Sequence, residues 1–180
     1  MTQDYPTDLK PRLAAIKWLI LDVDGVLTDG VISYDSAGNE QKCFNIKDGL
    51  GIKLLQKAGI QVAIITGRVS LMVQRRADEL GISHLIQGRE DKVLALKELA
   101  EQENISMNSI AYIGDDLPDY KAIACAGFGV TVADGHPDVR EVADHVTDLA
   151  GGQGAVREFC DFLLKAQGKY EQVTSSLKNQ

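Results

Sequence analysis

No apolar run in this 180-residue chain approaches membrane-spanning length, and Met1-Thr-Gln-Asp-Tyr-Pro-Thr-Asp-Leu-Lys-Pro-Arg12 carries no apolar signal core. The expected location is the cytoplasm, with no membrane partner. Cysteine is scarce: Cys43, Cys125 and Cys160 are odd in number, scattered and without a C-x-x-C pair, so neither a disulfide framework nor a structural zinc site is indicated. Basic charge is in deficit as well. With 19 Lys and Arg against 26 Asp and Glu the net charge is -7, which argues against nucleic acid or an anionic membrane as principal partner. A phosphorylated ligand must then be held by local cations and not by the global field. Internal repeats, low-complexity tracts and Pro-rich linkers are also absent, and the length suits one domain with a real core.

What is present is an alternation of short apolar runs with amphipathic segments of helical length. That pattern predicts an α/β fold: a doubly wound, Rossmann-like parallel sheet with helices on both faces. Strands are expected at Trp18 to Val23, Val62 to Thr66, His84 to Ile86, Ile110 to Ile113, Phe128 to Val132 and Asp144 to Thr147. Helices are expected at Gly49 to Ala58, Val69 to Leu80, Glu90 to Glu103 and Pro118 to Ala126, closing at or near Gly59, Gly81, Asn104 and Gly127. Residues 31–44 differ, reading as two short β runs around Ser36-Ala-Gly-Asn39, a hairpin that projects from the sheet. The division expected is a polar arm over 1–15, the core over 16–166 and a tail over 167–180, the tail and Gly151-Gly-Gln-Gly154 being mobile.

Four constellations fall at the carboxyl ends of the expected strands, where open α/β sheets bind ligands. Asp22 and Asp24, in Asp22-Val-Asp-Gly25, follow the first strand; alone they could be a solvated turn. A calcium loop is a poorer fit, because Gly25 falls at the fourth loop position instead of the sixth and Ser33 stands where a closing Glu is required. Thr66-Gly67-Arg68 offers a hydroxyl, backbone amides at a helix start and a guanidinium suited to an oxyanion. Lys92 opposes the dipole of the helix it begins, although exposed lysines also occupy such positions without a function. Gly114-Asp115-Asp116-Leu-Pro-Asp119 is a second acid cluster. Two facing clusters of carboxylates repel unless a divalent cation sits between them, and magnesium, a hard cation that binds oxygen and phosphate together, is the natural candidate.

The order D-x-D-G at Asp22, T-G-R at Thr66, Lys92 and G-D-D-x-x-D at Gly114 resembles the haloacid dehalogenase superfamily of phosphatases over about Ile16 to Ala166. The longer phrases Asp22-Val-Asp-Gly-Val-Leu-Thr-Asp-Gly30, Lys47-Asp-Gly-Leu-Gly-Ile-Lys53 and Gly151-Gly-Gln-Gly-Ala-Val-Arg-Glu158 resemble those members that hydrolyse the phosphate ester of an eight-carbon acid sugar destined for bacterial lipopolysaccharide. The resemblance implies that Asp22 is the nucleophile and Asp24 the general acid and base. It implies that Asp22, the Asp24 carbonyl and Asp115 hold Mg2+, with Asp116 or Asp119 behind them or orienting Lys92. Thr66, Gly67 and Lys92 would collect the phosphate oxygens.

Members of this superfamily usually close the site with an inserted cap, whereas here the hairpin stands in its place. A capless site open to water implies cover from neighbouring subunits in a homo-oligomer, and the resemblance implies a tetramer. Asn45, Ile46, Lys47, Asp48 and Gly49 would line the sugar pocket, and Arg68 and Arg76 offer guanidinium groups to the sugar carboxylate or phosphate. For Arg75 and Arg76 a solvated basic helix face is the competing reading. The stretch before Arg157 is a bare linker or a loop that closes over the site with Arg157 as its hook. Two rival functions stay open: a capless phosphatase for a nine-carbon sugar acid phosphate, and a non-enzymatic phospho-acceptor of the receiver type. The receiver places its phosphorylated aspartate on a middle strand, which here ends in Thr66.

Overall fold

The protein, as a computed structural model describing residues 9–178, is built around β1 (Trp18–Leu21). Every residue of β1 is buried, because neighbouring strands flank it and helices cover both of its faces. It pairs in parallel with β4 (Gln61–Ile65) on one side and β6 (Ile110–Gly114) on the other. β5 (His84–Ile86) lies outside β4, while β7 (Phe128–Thr131) and β8 (His145–Val146) continue beyond β6, giving the order β5-β4-β1-β6-β7-β8. The chain therefore winds outward in one direction from β1 to β5 and in the other from β6 to β8. The reversal between β1 and β6 opens a crevice at the carboxyl ends of those strands.

Alternate strand residues feed two core layers. Leu19, Leu21, Val62, Ile64, Ala111, Ile113 and Val130 face a layer made with α1 (Leu9–Ala15), α2 (Ile46–Lys57), α3 (Leu71–Leu80), α7 (Ala155–Ala166) and α8 (Tyr170–Lys178). Trp18, Ile20, Ala63, Ile65, Ile110 and Tyr112 face the other, made with α4 (Lys92–Gln102), α5 (Tyr120–Cys125) and α6 (Pro137–Val142). The doubly wound sheet read from the sequence is thus present, and no inserted domain covers it. In the segment expected to form a hairpin, β2 (Ser33–Tyr34) and β3 (Glu40–Gln41) pair antiparallel. Its turn is held by the Asp35 carboxylate, which accepts from the Ala37 amide at 2.8 Å and the Asn39 amide at 2.9 Å. Val31, Ile32 and Tyr34 on it are exposed.

Three segments depart from expectation. Of the polar arm, residues 1–8 lie outside the described residues, but Leu9–Ala15 is a helix whose Leu13 is wholly buried and whose Arg12 grips the Asp144 carboxylate with two nitrogens at 2.5 and 2.6 Å. The tail expected to be mobile is helical over Tyr170–Lys178, docks Val173 into the core and receives the Lys57 ammonium on the Val173 carbonyl at 3.3 Å. The glycine stretch 151–154 is not a bare linker but is packed against the first acid loop. Gly151 donates to the Asp134 carboxylate at 3.0 Å and Gly152 to the Val26 carbonyl at 3.0 Å, and any Cβ on Gly151 would strike the Gly25 carbonyl. Glycine is required there because two backbones touch.

Candidate active site

Strand register assembles the site. Leu21 is level with Ile64 of β4 and Ile113 of β6, so Asp22, Thr66 and Asp115 emerge within one or two residues of the same line across the sheet. The Asp22 amide stays bonded to the Ile113 carbonyl at 3.0 Å, which fixes the backbone from which its carboxylate projects. Beyond it the chain curls, with the amides of Val26, Leu27 and Thr28 all converging on the Val23 carbonyl. Gly25 takes φ +86°, and a Cβ there would collide with the Asp115 carboxylate, so the glycine of D-x-D-G is what lets the two acid loops meet. Gly114 serves the second loop in the same way, lying against the Asp119 side chain.

Lys92 is the hub. It begins α4 and is buried, with its ammonium 2.7 Å from Asp22 Oδ2 and 2.8 Å from Asp119 Oδ1. The unfavourable helix dipole noticed in the sequence is offset by these two carboxylates. Burial works against the ammonium, but Asp22 and Asp119 outweigh it and hold Lys92 above the ordinary lysine range. Asp119 also accepts from the buried Tyr112 hydroxyl at 2.8 Å. Asp22, Asp115 and Asp119 each offer an oxygen, all within 4.8 Å of one another. Burial first, and Asp119 second, push Asp22 up to about 8 and Asp115 up to about 7. Acid oxygens converging in this way suit a hard divalent cation, which favours the ionised form of Asp22 and Asp115.

A cavity of about 570 Å³ opens over this cluster, lined by Asp22, Asp24, Thr66, Gly67, Arg68, Glu90, Lys92, Asp115, Asp116 and Asp119 among others. All four motifs singled out in the sequence therefore share one cavity. Two groups without a signal in the sequence touch its lining from behind: the Lys42 ammonium contacts Asp24 Oδ1, and Glu40 Oε1 accepts from Arg68 at 2.5 Å.

The sugar-pocket candidates lie apart from that lining. Asn45 caps α2, its Oδ1 accepting from the Lys47 amide at 2.9 Å, and its Nδ2 donates to the Gly152 carbonyl at 3.2 Å. It lines a smaller cavity with Asp29, Cys43, Phe44, Gly152 and Gln153. Ile46 and Lys47 are exposed. Asp48 is buried, accepts from the Arg157 amide at 2.8 Å and is pushed by that burial up to about 6. Gly49 lies against the Arg76 guanidinium, which itself donates to Glu79 at 3.3 Å. Arg157 donates from Nε to Asp161 at 2.9 Å on its own helix, so its side chain is engaged away from the 570 Å³ cavity.

Residues 82–159 match the model of the haloacid dehalogenase-like hydrolases. The chain is 48% identical over 165 residues to 3-deoxy-D-manno-octulosonate 8-phosphate phosphatase KdsC of Escherichia coli K12, covering 92% of this chain and 88% of that one. The structure of the corresponding phosphatase from Moraxella catarrhalis, in complex with magnesium ion, phosphate ion and a KDO molecule, superposes with a TM-score of 0.94 at 48% identity, covering 96% of this chain and 99% of that one. The cobalt-bound form of the deoxy-D-mannose-octulosonate 8-phosphate phosphatase of Haemophilus influenzae superposes with a TM-score of 0.85 at 45% identity, covering 88% and 93%. With its two acid loops, buried lysine and capless sheet in place, the chain belongs to the 3-deoxy-D-manno-octulosonate 8-phosphate phosphatase family of haloacid dehalogenase-like hydrolases.

Proposed function

We propose that the protein is a magnesium-dependent phosphomonoester hydrolase that releases phosphate from 3-deoxy-D-manno-octulosonate 8-phosphate by way of an aspartyl-phosphate. The observation that carries the chemistry is the Lys92 ammonium held at 2.7 Å from Asp22 inside a cluster of three acids. The substrate is carried over from the relatives, which share about half of their residues with this chain over nearly its whole length.

Asp22 attacks the phosphorus as the bond to the sugar oxygen breaks, and Asp24 gives its proton to that departing oxygen. Asp24, now a carboxylate, takes a proton from water as the water attacks the phosphorus of the intermediate, regenerating Asp22 and releasing inorganic phosphate. Thr66, the Gly67 amide and Lys92 hold the non-bridging oxygens through both displacements. Asp22, Asp115 and the Asp24 carbonyl would hold Mg2+, which supplies positive charge to the phosphoryl group and keeps the nucleophile ionised. Asp119 orients Lys92, with Tyr112 holding Asp119.

The hairpin with exposed Val31, Ile32 and Tyr34 beside an uncapped cavity supports an oligomer, a tetramer by family likeness, in which subunits cover one another's sites. A cytoplasmic location goes with this reading, and among the described residues no helix is long and apolar enough to cross a membrane. Phosphate release from the eight-carbon ester, the nine-carbon analogue and generic sugar phosphates, with Mg2+ or chelator, tests the proposal. Metal-dependent preference for the octulosonate is expected. Equal weak turnover of all esters would remove the substrate assignment, and silence would favour a phospho-acceptor.

A further inference from the structure

The hairpin leads into α2 through Lys42, and this lysine behaves unlike its neighbours. Gln41 and Cys43 are exposed, yet the Lys42 side chain is 3% exposed. An ammonium withdrawn from water needs a partner: it donates to Asp24 Oδ1 in direct contact and has Glu40 Oε1 nearby at 3.8 Å as a second counter-charge. Glu40 in turn accepts from Arg68 at 2.5 Å, and Arg68 Nε lies 3.7 Å from the other oxygen of Asp24. Asp24, Lys42, Glu40 and Arg68 thus close a ring of alternating charge, with one cation beside each oxygen of Asp24. Arg68 is 44% exposed and reaches its position on a flexible side chain, whereas Lys42 is enclosed. The enclosed cation is the one able to fix the carboxylate's rotation.

We propose that Lys42 is a positioning residue for Asp24, holding its carboxylate in the orientation from which a proton passes to the departing sugar oxygen and is later taken from water. This inference rests on the reading of Asp24 as the acid and base of the reaction. It also gives the hairpin a task within its own subunit: the element that stands in place of a cap sets the geometry of the proton-transfer group. Lys42 itself forms and breaks no bond. Its effect appears only where a proton moves, so an ester whose leaving group departs without protonation escapes it in the first displacement and meets it in the second.

The test compares Lys42→Met and Lys42→Arg with the unaltered enzyme on 3-deoxy-D-manno-octulosonate 8-phosphate and on p-nitrophenyl phosphate, with Mg2+ present. For the sugar ester, Lys42→Met is expected to lower kcat roughly 10²-fold with KM changed by less than about threefold, and Lys42→Arg to restore much of the loss. For the aryl ester the pre-steady-state burst of p-nitrophenolate should keep its rate while the following steady state slows. A higher KM at unchanged kcat would make Lys42 a grip on the substrate and overturn the proposal. Parallel loss of burst and steady state would reduce it to a structural contact, and unchanged kinetics would remove it. If the unaltered enzyme hydrolyses neither ester, the phosphatase reading fails first and separately.

Discussion

Replacing Lys92 with methionine keeps the length of the side chain but strips the charge that Asp22 and Asp119 share. The ammonium lies 2.7 and 2.8 Å from the two carboxylates. At an effective dielectric near 20 each contact is worth about 6 kcal/mol of Coulomb attraction, most of which offsets the cost of withdrawing the ions from water. What the substitution exposes is the uncompensated remainder: buried acids facing each other with, among the described residues, the Tyr112 hydroxyl as the neutral donor left to Asp119 Oδ1. Breaking a buried pair in this way costs about 3–5 kcal/mol. Urea unfolding at pH 9 in chelator, for Lys92→Met, Asp119→Asn and the double variant, should show that loss for the lysine change and a coupling of about 1–3 kcal/mol in the cycle. Because Asp22, raised to about 8, takes up a proton below that pH, the loss should shrink as the pH is lowered through 8. With saturating Mg2+, kcat should fall by roughly 10²–10³ as the phosphoryl oxygens lose a donor. A stability change under about 1 kcal/mol together with additivity across the cycle would refute the shared buried ammonium.

Asp22→Asn should fold and bind phosphate esters but lower turnover to roughly 10⁻⁴ of the original or less, with no acid-stable phosphoryl adduct by mass spectrometry; retained turnover would exclude Asp22 as nucleophile. Mg2+ at a hundred times its dissociation constant should stabilise the fold by about 2.7 kcal/mol, raising Tm by about 5–10 °C, and chelator or Asp115→Ala should cancel the rise. Asp48, raised by burial from 3.8 to about 6, favours the folded state fully below pH 3.8 and loses that contribution as pH rises through about 6. Asp48→Asn should therefore gain stability relative to the parent by about 2–3 kcal/mol between pH 4 and 7 in urea titrations, and a pH-independent difference would show that the carboxyl does not titrate there.

Legibility in the sequence followed the distance over which each feature is decided. The strands of the main sheet showed because a buried parallel strand is an unbroken apolar run, as in Trp18-Leu-Ile-Leu21. Helix α7 was missed although Val156, Phe159, Cys160, Leu163 and Leu164 repeat at helical spacing, because the glycines before it read as a linker. Those glycines make sense only against Gly25 and Val26, some 125 residues earlier in the chain. Lys42 and Glu40 carried no signal either: two charges in a polar hairpin are ordinary until the hairpin folds back onto Asp24.

From the residues alone came the sheet, the two acid loops, Thr66-Gly67 and the candidate basic partner at Lys92, because phosphoryl chemistry needs particular side chains directly after strand ends and that spacing is local. Tertiary structure decided which groups meet. The register of β1 against β4 and β6 brings three motifs to one line, and burial turns Lys92 into a shared counter-ion. The same packing sends Asp48 and Arg157 to the α2–α7 contact and closes the hairpin's charges around Asp24. Such encounters join residues far apart in the chain, and their energies depend on distance and exclusion of water, which no local pattern records.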